Sequence, residues 1–74
     1  MAEEFKFEIT ARHGNLSPEK SGWTLQLNSV SWNGAAAKYD IRKWYADGVK
    51  MSKGISLTAE ELKTLREILN SMEL

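Results

Sequence analysis

Alternation of apolar and polar side chains dominates most of the chain. Residues 4–12 and 22–32 alternate with a period of two, and residues 38–45 and 49–57 follow with the same period. This period is typical of strands with one buried face, and an Asn-Gly and an Asp-Gly dipeptide between the later segments favour tight turns. The pattern predicts four strands in a single domain, residues 1–74.

The last segment has the period of a helix instead. Thr58-Ala-Glu-Glu61 is a capping box, in which the threonine hydroxyl accepts from the backbone of Glu61 and the glutamate accepts from the backbone of Thr58. An apolar stripe with i, i+3, i+4, i+7 spacing follows, made of Leu62, Leu65, Ile68, Leu69 and Met72. The predicted element order is therefore β-β-β-β-α, an α+β fold.

A single amphipathic helix is expected to lay its apolar stripe on one face of such a sheet. The face expected to be covered consists of Phe5, Phe7, Ile9, Leu25, Leu27, Ile41, Ile55 and Leu57. The face expected to stay open displays Lys6, Arg12, Thr24, Gln26, Asn28, Trp32, Lys38, Arg42 and Trp44. Val30 and Trp32 fall on the polar side of the second strand, which indicates a bulge or a bend there.

The short length of the chain suggests that a second chain contributes to its stability. A domain of 74 residues buries only about 60% of the surface that its unfolded chain exposes, so its core is thin. Cysteine is absent, which excludes disulfides and thiolate metal sites, and neither a metal nor another cofactor is expected. We therefore predict a homodimer stabilised by the helix stripe. The predicted dimer interface consists of Leu65, Ile68, Leu69 and Met72.

Several classes of protein are disfavoured by the same sequence. No apolar run approaches the roughly 20 residues of a membrane span, and the acidic N-terminus lacks the basic residues of a signal peptide, so a cytoplasmic location is expected. His13 is the only histidine and lies in a predicted loop. Asp40 is expected to pair with Arg42 or Lys38 rather than to act as an acid. We therefore expect no enzymatic activity.

The distribution of charge along the chain is compatible with a nucleic-acid ligand. The chain has ten basic and ten acidic residues, yet residues 20–56 carry six basic and only two acidic side chains. An open sheet face that mixes tryptophans with lysine and arginine suits single strands, because unstacked bases lie on aromatic rings while cations neutralise phosphates. This face therefore predicts binding of single-stranded nucleic acid with little dependence on sequence.

Two alternatives stay open at this point. Trp32 and Trp44 are also compatible with the edge of a sheet or with an interface, since tryptophans are commonly largely buried. The chain would then be a protein-interaction module that takes a peptide or partner on its open face or sheet edge. RNA in place of DNA is equally compatible with these residue types.

The third and fourth strands resemble a known family. The run Lys38-Tyr-Asp-Ile-Arg-Lys-Trp-Tyr45, then Met51-Ser-Lys-Gly-Ile-Ser-Leu57 and a helix, is similar to the C-terminal domain of the transcriptional coactivator positive cofactor four, and most similar to its small bacterial members. The resemblance covers roughly residues 22–70. It implies a curved antiparallel sheet, a homodimer formed largely through the helices, and single-stranded DNA held along the sheets.

The resemblance also implies site residues. Arg42 matches the family's strand arginine, Trp32 its stacking aromatic residue, and Lys53 its lysine before Gly-Ile-Ser-Leu, while Asn33 stands where the family has a lysine. The full predicted nucleic-acid site is Lys6, Trp32, Asn33, Lys38, Arg42, Trp44 and Lys53. Partners in transcription, replication or repair are all compatible with this reading.

Overall fold

The computed structural model describes residues 6–74, which form one four-stranded antiparallel sheet followed by a helix. The elements are β1 (Phe7–Asn15), β2 (Trp23–Trp32), β3 (Lys38–Tyr45), β4 (Met51–Leu57) and α1 (Ala59–Ser71). The strands pair in chain order, each with its sequence neighbour. The predicted α+β fold and its β-β-β-β-α order are confirmed.

Strand β1 differs most from its prediction. It begins at Phe7 and continues to Asn15, so His13 belongs to a strand and not to a loop. Two register shifts in the pairing with β2 each leave one additional residue on β1, which allows the pairing to continue. The bulge expected within the second strand therefore lies in the first. Phe5 lies outside the described residues.

The sheet curls strongly, and we call its concave side the inner face. Phe7 pairs with Trp32 at one end of β2, while Trp44 pairs with Thr24 eight residues away. Eight residues of extended strand span about 26 Å. The ring centroids of Phe7 and Trp44 are nevertheless only 5.2 Å apart, so the sheet must bend to bring them together. This observation confirms the expected curved sheet.

The face that is buried was predicted wrongly. The inner face carries Phe7, Ile9, Asn28, Val30, Trp32, Asp40, Arg42 and Trp44. Asn28, Trp32, Arg42 and Trp44 were expected on the open face, and Phe7 and Ile9 on the covered face. The inner face nevertheless holds the buried side chains of the described chain, Asn28, Val30, Asp40 and Trp44. The convex side, which we call the outer face, carries Trp23, Leu25, Leu27, Ile41, Lys43, Tyr45 and Ile55. The reason is the curl, because a concave sheet encloses its own side chains.

Helix α1 does not cover the sheet as expected. It contacts only β3 and β4 among the described elements, and none of its residues is buried. Ile68 is 52% exposed and Met72 is 49% exposed. The predicted capping box is present, since the hydroxyl of Thr58 accepts from the Glu61 amide and the Glu61 carboxylate accepts from the Thr58 amide. The helix is too short and too polar to cross a membrane.

Candidate nucleic-acid interface

Trp32 is held at the tip of the β2–β3 hairpin by a tight turn. The Ala35 amide donates to the Trp32 carbonyl at 2.9 Å, and both residues between them have positive φ, +51° at Asn33 and +79° at Gly34. Positive φ at both central positions is the requirement of a type I′ hairpin turn, which an Asn-Gly dipeptide meets. The Asn33 side chain also accepts from the Lys6 amide at 2.9 Å. The turn and the start of β1 therefore fix the backbone that carries the indole.

The Trp32 indole is half-buried and lies against a guanidinium group. The Arg42 Cζ atom is 4.5 Å from the centroid of the Trp32 ring, within cation–π distance. Arg42 pairs with Gln26, six residues before Trp32 along β2, so both long side chains must extend along the inner face to meet. Phe7 packs on the same indole, with ring centroids 6.1 Å apart.

Arg42 is itself fixed by a buried carboxylate. Its Nε and Nη2 atoms donate to the two oxygens of Asp40 at 2.6 and 2.8 Å, and Asp40 is completely buried. Ser56 donates to the same carboxylate at 3.0 Å. Gly54 lies opposite Arg42, and a Cβ atom there would overlap the arginine side chain, so the close approach of the two strands requires glycine. The predicted pairing of Asp40 with Arg42 is confirmed.

Arg42 is consequently far from a free surface cation. Its side chain is 14% exposed, and its Nη1 atom also donates to the Ser52 carbonyl at 3.4 Å. A bidentate pair of this kind holds the guanidinium plane in one orientation. The arrangement can therefore hold the Trp32 ring in a defined position.

Trp44 does not share the accessibility of Trp32. It is only 2% exposed, because Phe7 packs on it across the curled inner face. The expectation that both indoles lie on an open surface is therefore wrong for Trp44. A buried indole has no ring face available to an incoming base. In this structure Trp44 instead packs against Phe7 and stabilises the inner face.

The other predicted cations, Lys6, Lys38 and Lys53, lie in two different parts of the sheet. Lys6 and Lys38 flank the hairpin end that carries Trp32, since Lys6 pairs with Asn33 through its backbone and Lys38 pairs with Val30. Both are exposed. Lys53 is also exposed and lies with Ser52 opposite Lys43, where a register shift interrupts the β3–β4 pairing. The structure thus groups Lys6, Lys38 and Trp32 and sets Lys53 apart.

Sequence comparison places these features in a family. The profile of the family described as Transcriptional Coactivator p15 (PC4) matches residues 19–68, about two thirds of the chain. The chain belongs to the PC4 family. The chain is also similar to an uncharacterized protein of Treponema pallidum (strain Nichols). The two are 50% identical over 72 residues, which cover 97% of this chain and 85% of the relative. The resemblance found in the third and fourth strands is thus confirmed.

Two contacts of this PC4-family chain were missed by sequence reasoning. Phe7 was assigned to the covered face, yet it joins the two inner-face tryptophans. His13 was placed in a loop, yet its Nε2 atom lies 2.8 Å from the Ser29 hydroxyl and its ring packs 5.7 Å from that of Tyr39. The register of β1 against β2 decides both contacts, and this register contains two bulges on β1 that interrupt the alternation.

Proposed function

We propose that this PC4-family chain binds single-stranded DNA, with little preference for sequence, at the hairpin end of the inner face. The observation that carries the proposal is the half-buried Trp32, held on a fixed turn beside the Arg42 guanidinium. An aromatic ring fixed in this way loses little freedom when a base stacks on it, and such stacking contributes about 1–3 kcal/mol per base. Family membership supports nucleic acid as the ligand.

In this proposal some of the predicted site residues contact the DNA, and the others hold the contacting residues in place. Trp32 stacks on a base, while Lys6 and Lys38 neutralise the adjoining phosphates and the Asn33 amide lies beside them. Lys53 lies apart from the hairpin end and neutralises a phosphate further along a longer strand. Arg42 keeps the indole in place rather than binding a phosphate, because its Nε and Nη2 atoms already donate to Asp40. Trp44 acts indirectly, by supporting Phe7 and the inner face. A role in transcription fits the family, and the cytoplasmic location stays a prediction.

The decisive experiment is a titration with a labelled single-stranded 20-mer and its duplex, at low and moderate salt. The single strand should bind more tightly, and log affinity should fall by about 0.7 per phosphate contacted for each tenfold rise in salt. Trp32→Ala should weaken binding by roughly tenfold or more, which corresponds to the stacking of one base. Lys38→Ala should reduce the salt slope, whereas Lys63→Ala, an exposed helix lysine paired with Glu60, is the matched control.

Failure of both ligands to bind would instead favour the protein-interaction module. Equal binding of duplex and single strand would exclude stacking as the main contact, because duplex DNA offers no free base faces. Competition between matched DNA and RNA 20-mers distinguishes the two nucleic acids.

We further propose that the chain is a homodimer whose contact includes Leu65, Ile68, Leu69 and Met72. Leu65 is half-buried, while the other three side chains are between 43% and 52% exposed in the single chain. Exposed leucine and isoleucine on one stripe stabilise a protein only once they are covered. Sedimentation at micromolar concentration should give twice the 8.4 kDa of one chain. Ile68→Glu should give the monomer, Lys63→Glu should not, and a wild-type monomer would refute the proposal.

A further inference from the structure

A second concave surface lies on the outer face, where the loop between β1 and β2 rises over the sheet. We call it the loop groove and define it by Ser17, Pro18, Lys20, Trp23, Leu25 and Lys43. Its volume of about 830 Å³ falls within the range of small-ligand sites. Trp23 lies nine residues from Trp32 along β2 and on the opposite face, so the groove is separate from the proposed inner-face site.

The loop that forms one wall of the groove is fixed to the sheet. Lys20 and Trp23 exchange backbone hydrogen bonds of 2.8 and 3.0 Å. The Leu25 amide donates to the Ser17 hydroxyl at 3.1 Å, and the Leu25 carbonyl accepts from the Leu16 amide at 2.6 Å. The wall is therefore in place before a ligand arrives, which lowers the entropic cost of binding.

Trp23 forms the aromatic wall of the groove and is supported from behind. Its ring meets that of Tyr45 edge-on, with centroids 5.3 Å apart and planes at 64°. Tyr45 is in turn held by Gly22, where a Cβ atom would fall 2.6 Å from the tyrosine ring, and by the Lys50 ammonium group 5.3 Å from its centroid. Trp23 itself is only half-buried, so part of its indole faces the groove.

The charge of the groove selects an anionic ligand. Lys20 and Lys43 line it against one carboxylate, that of Glu19. The ion pairs of the described residues involve neither lysine, so their ammonium groups are available to a ligand. A nucleotide combines the two features that this surface matches, a flat ring for the indole and a phosphate for the lysines.

We propose that the loop groove is a second binding site for one or two nucleotides of single-stranded nucleic acid. A base stacks on Trp23, and the adjoining phosphates lie near Lys20 and Lys43. A strand long enough to pass from one face to the other can engage both sites of the chain, which raises its affinity through effective concentration.

The test uses oligothymidylate hexamers and the fluorescence of the Trp32→Phe variant, which removes the accessible indole of the inner face and leaves Trp23 and the buried Trp44. We expect the hexamer to quench this fluorescence, and the added changes Lys20→Glu and Lys43→Glu to weaken the effect at least tenfold. Lys63→Glu is the control for charge and should change nothing. Trp23→Phe in the same background should retain binding, measured with a labelled hexamer, while the quenching is lost.

Two results would overturn the proposal. One is absence of quenching in the Trp32→Phe variant, and the other is quenching that a hexaglutamate peptide abolishes as well as competing hexamer does, which would make the groove a site for acidic peptides. Loss of inner-face binding alone leaves the expected results intact, because the readout comes from Trp23. Adenylate and uridylate hexamers, used as competitors, distinguish a DNA preference from an RNA preference.

Discussion

The inner face of the sheet holds four buried side chains in a single chain, whereas helix α1 holds none. The sheet reaches this state by curling, so that Phe7 at one end meets Trp44 at the other. The helix is defined by short-range signals, namely a capping box and one apolar stripe. The stability of the sheet therefore depends on contacts between residues that are distant in sequence. The stability of the helix depends on its capped first turn and on the surface that covers its apolar stripe.

The difference between the two regions predicts how the effect of a substitution on stability depends on protein concentration. Changes on the inner face remove contacts that the chain makes with itself, so their cost should be the same at any protein concentration. Changes on the helix stripe remove contacts that we assign to a second chain, so their effect should depend on concentration. Substitutions in the two regions, each measured at several protein concentrations, test this distinction.

The largest effect is expected at Trp44. Trp44→Ala removes a side chain that is 2% exposed and leaves a cavity beneath Phe7. Such truncations cost about 3–5 kcal/mol of unfolding free energy, which urea denaturation measures. Val49→Ala is the matched control, since Val49 is 65% exposed and its loss should cost less than about 0.5 kcal/mol. Equal costs for the two variants would show that the inner face is not the core.

The next effect is expected at the buried ion pair. Asp40→Asn removes the charge that Arg42 binds through two hydrogen bonds, and breaking a buried pair costs about 3 kcal/mol. It should also release Arg42 from Trp32 and so change the indole fluorescence of the folded protein. The control is Glu60→Gln in the exposed pair with Lys63, 3.8 Å apart, where less than about 0.5 kcal/mol is expected. A cost at Asp40 as small as that of the control would contradict the role given to this pair.

The alternation and turn signals of the sequence predicted the local features of this fold, whereas the curvature of the sheet was expected only from the family resemblance. The third strand has its predicted bounds because alternation is strong there and turn signals lie on both sides. Asp40 and Arg42 could be paired because residues two apart in a strand share a face. The burial of Trp44 could not be predicted, since it depends on Phe7, which the β1–β2 register brings across the curled sheet.

The candidate site was predicted in part for the same reason. Trp32 and its turn follow from the Asn-Gly dipeptide, and the structure places Lys6 and Lys38 near them. The restricted position of Arg42 depends on Gly54 and Ser56 of a neighbouring strand, and neither contact is visible in the period of β3. The sequence pattern within each strand thus predicted which residues belong to the candidate site. Their roles depend on contacts between strands, which that pattern does not show.

A smaller effect is expected at the helix cap. Thr58→Ala removes the hydroxyl that accepts from the Glu61 amide at 3.1 Å, and loss of such a cap costs about 1 kcal/mol. For a domain of this size the melting temperature should fall by about 4–8 °C. Thr64→Ala is the control, because Thr64 is exposed in the helix interior and alanine favours helix there. A fall in melting temperature for both variants would place the effect outside the cap.

The smallest effect is a pH dependence that arises from the same cap. Hydrogen bonds from the backbone amide and then the side chain of Thr58 lower the pKa of Glu61 below its ordinary value of 4.5. A lowered pKa stabilises the fold at pH values above the ordinary one, and this contribution is lost as the pH falls through the folded value. Glu61→Gln can still complete a capping box but does not titrate. Between pH 6 and 3 the urea midpoint of the wild type should therefore fall further than that of Glu61→Gln. Parallel curves would mean that Glu61 does not reach Thr58 in solution, and that the helix begins without its capping box.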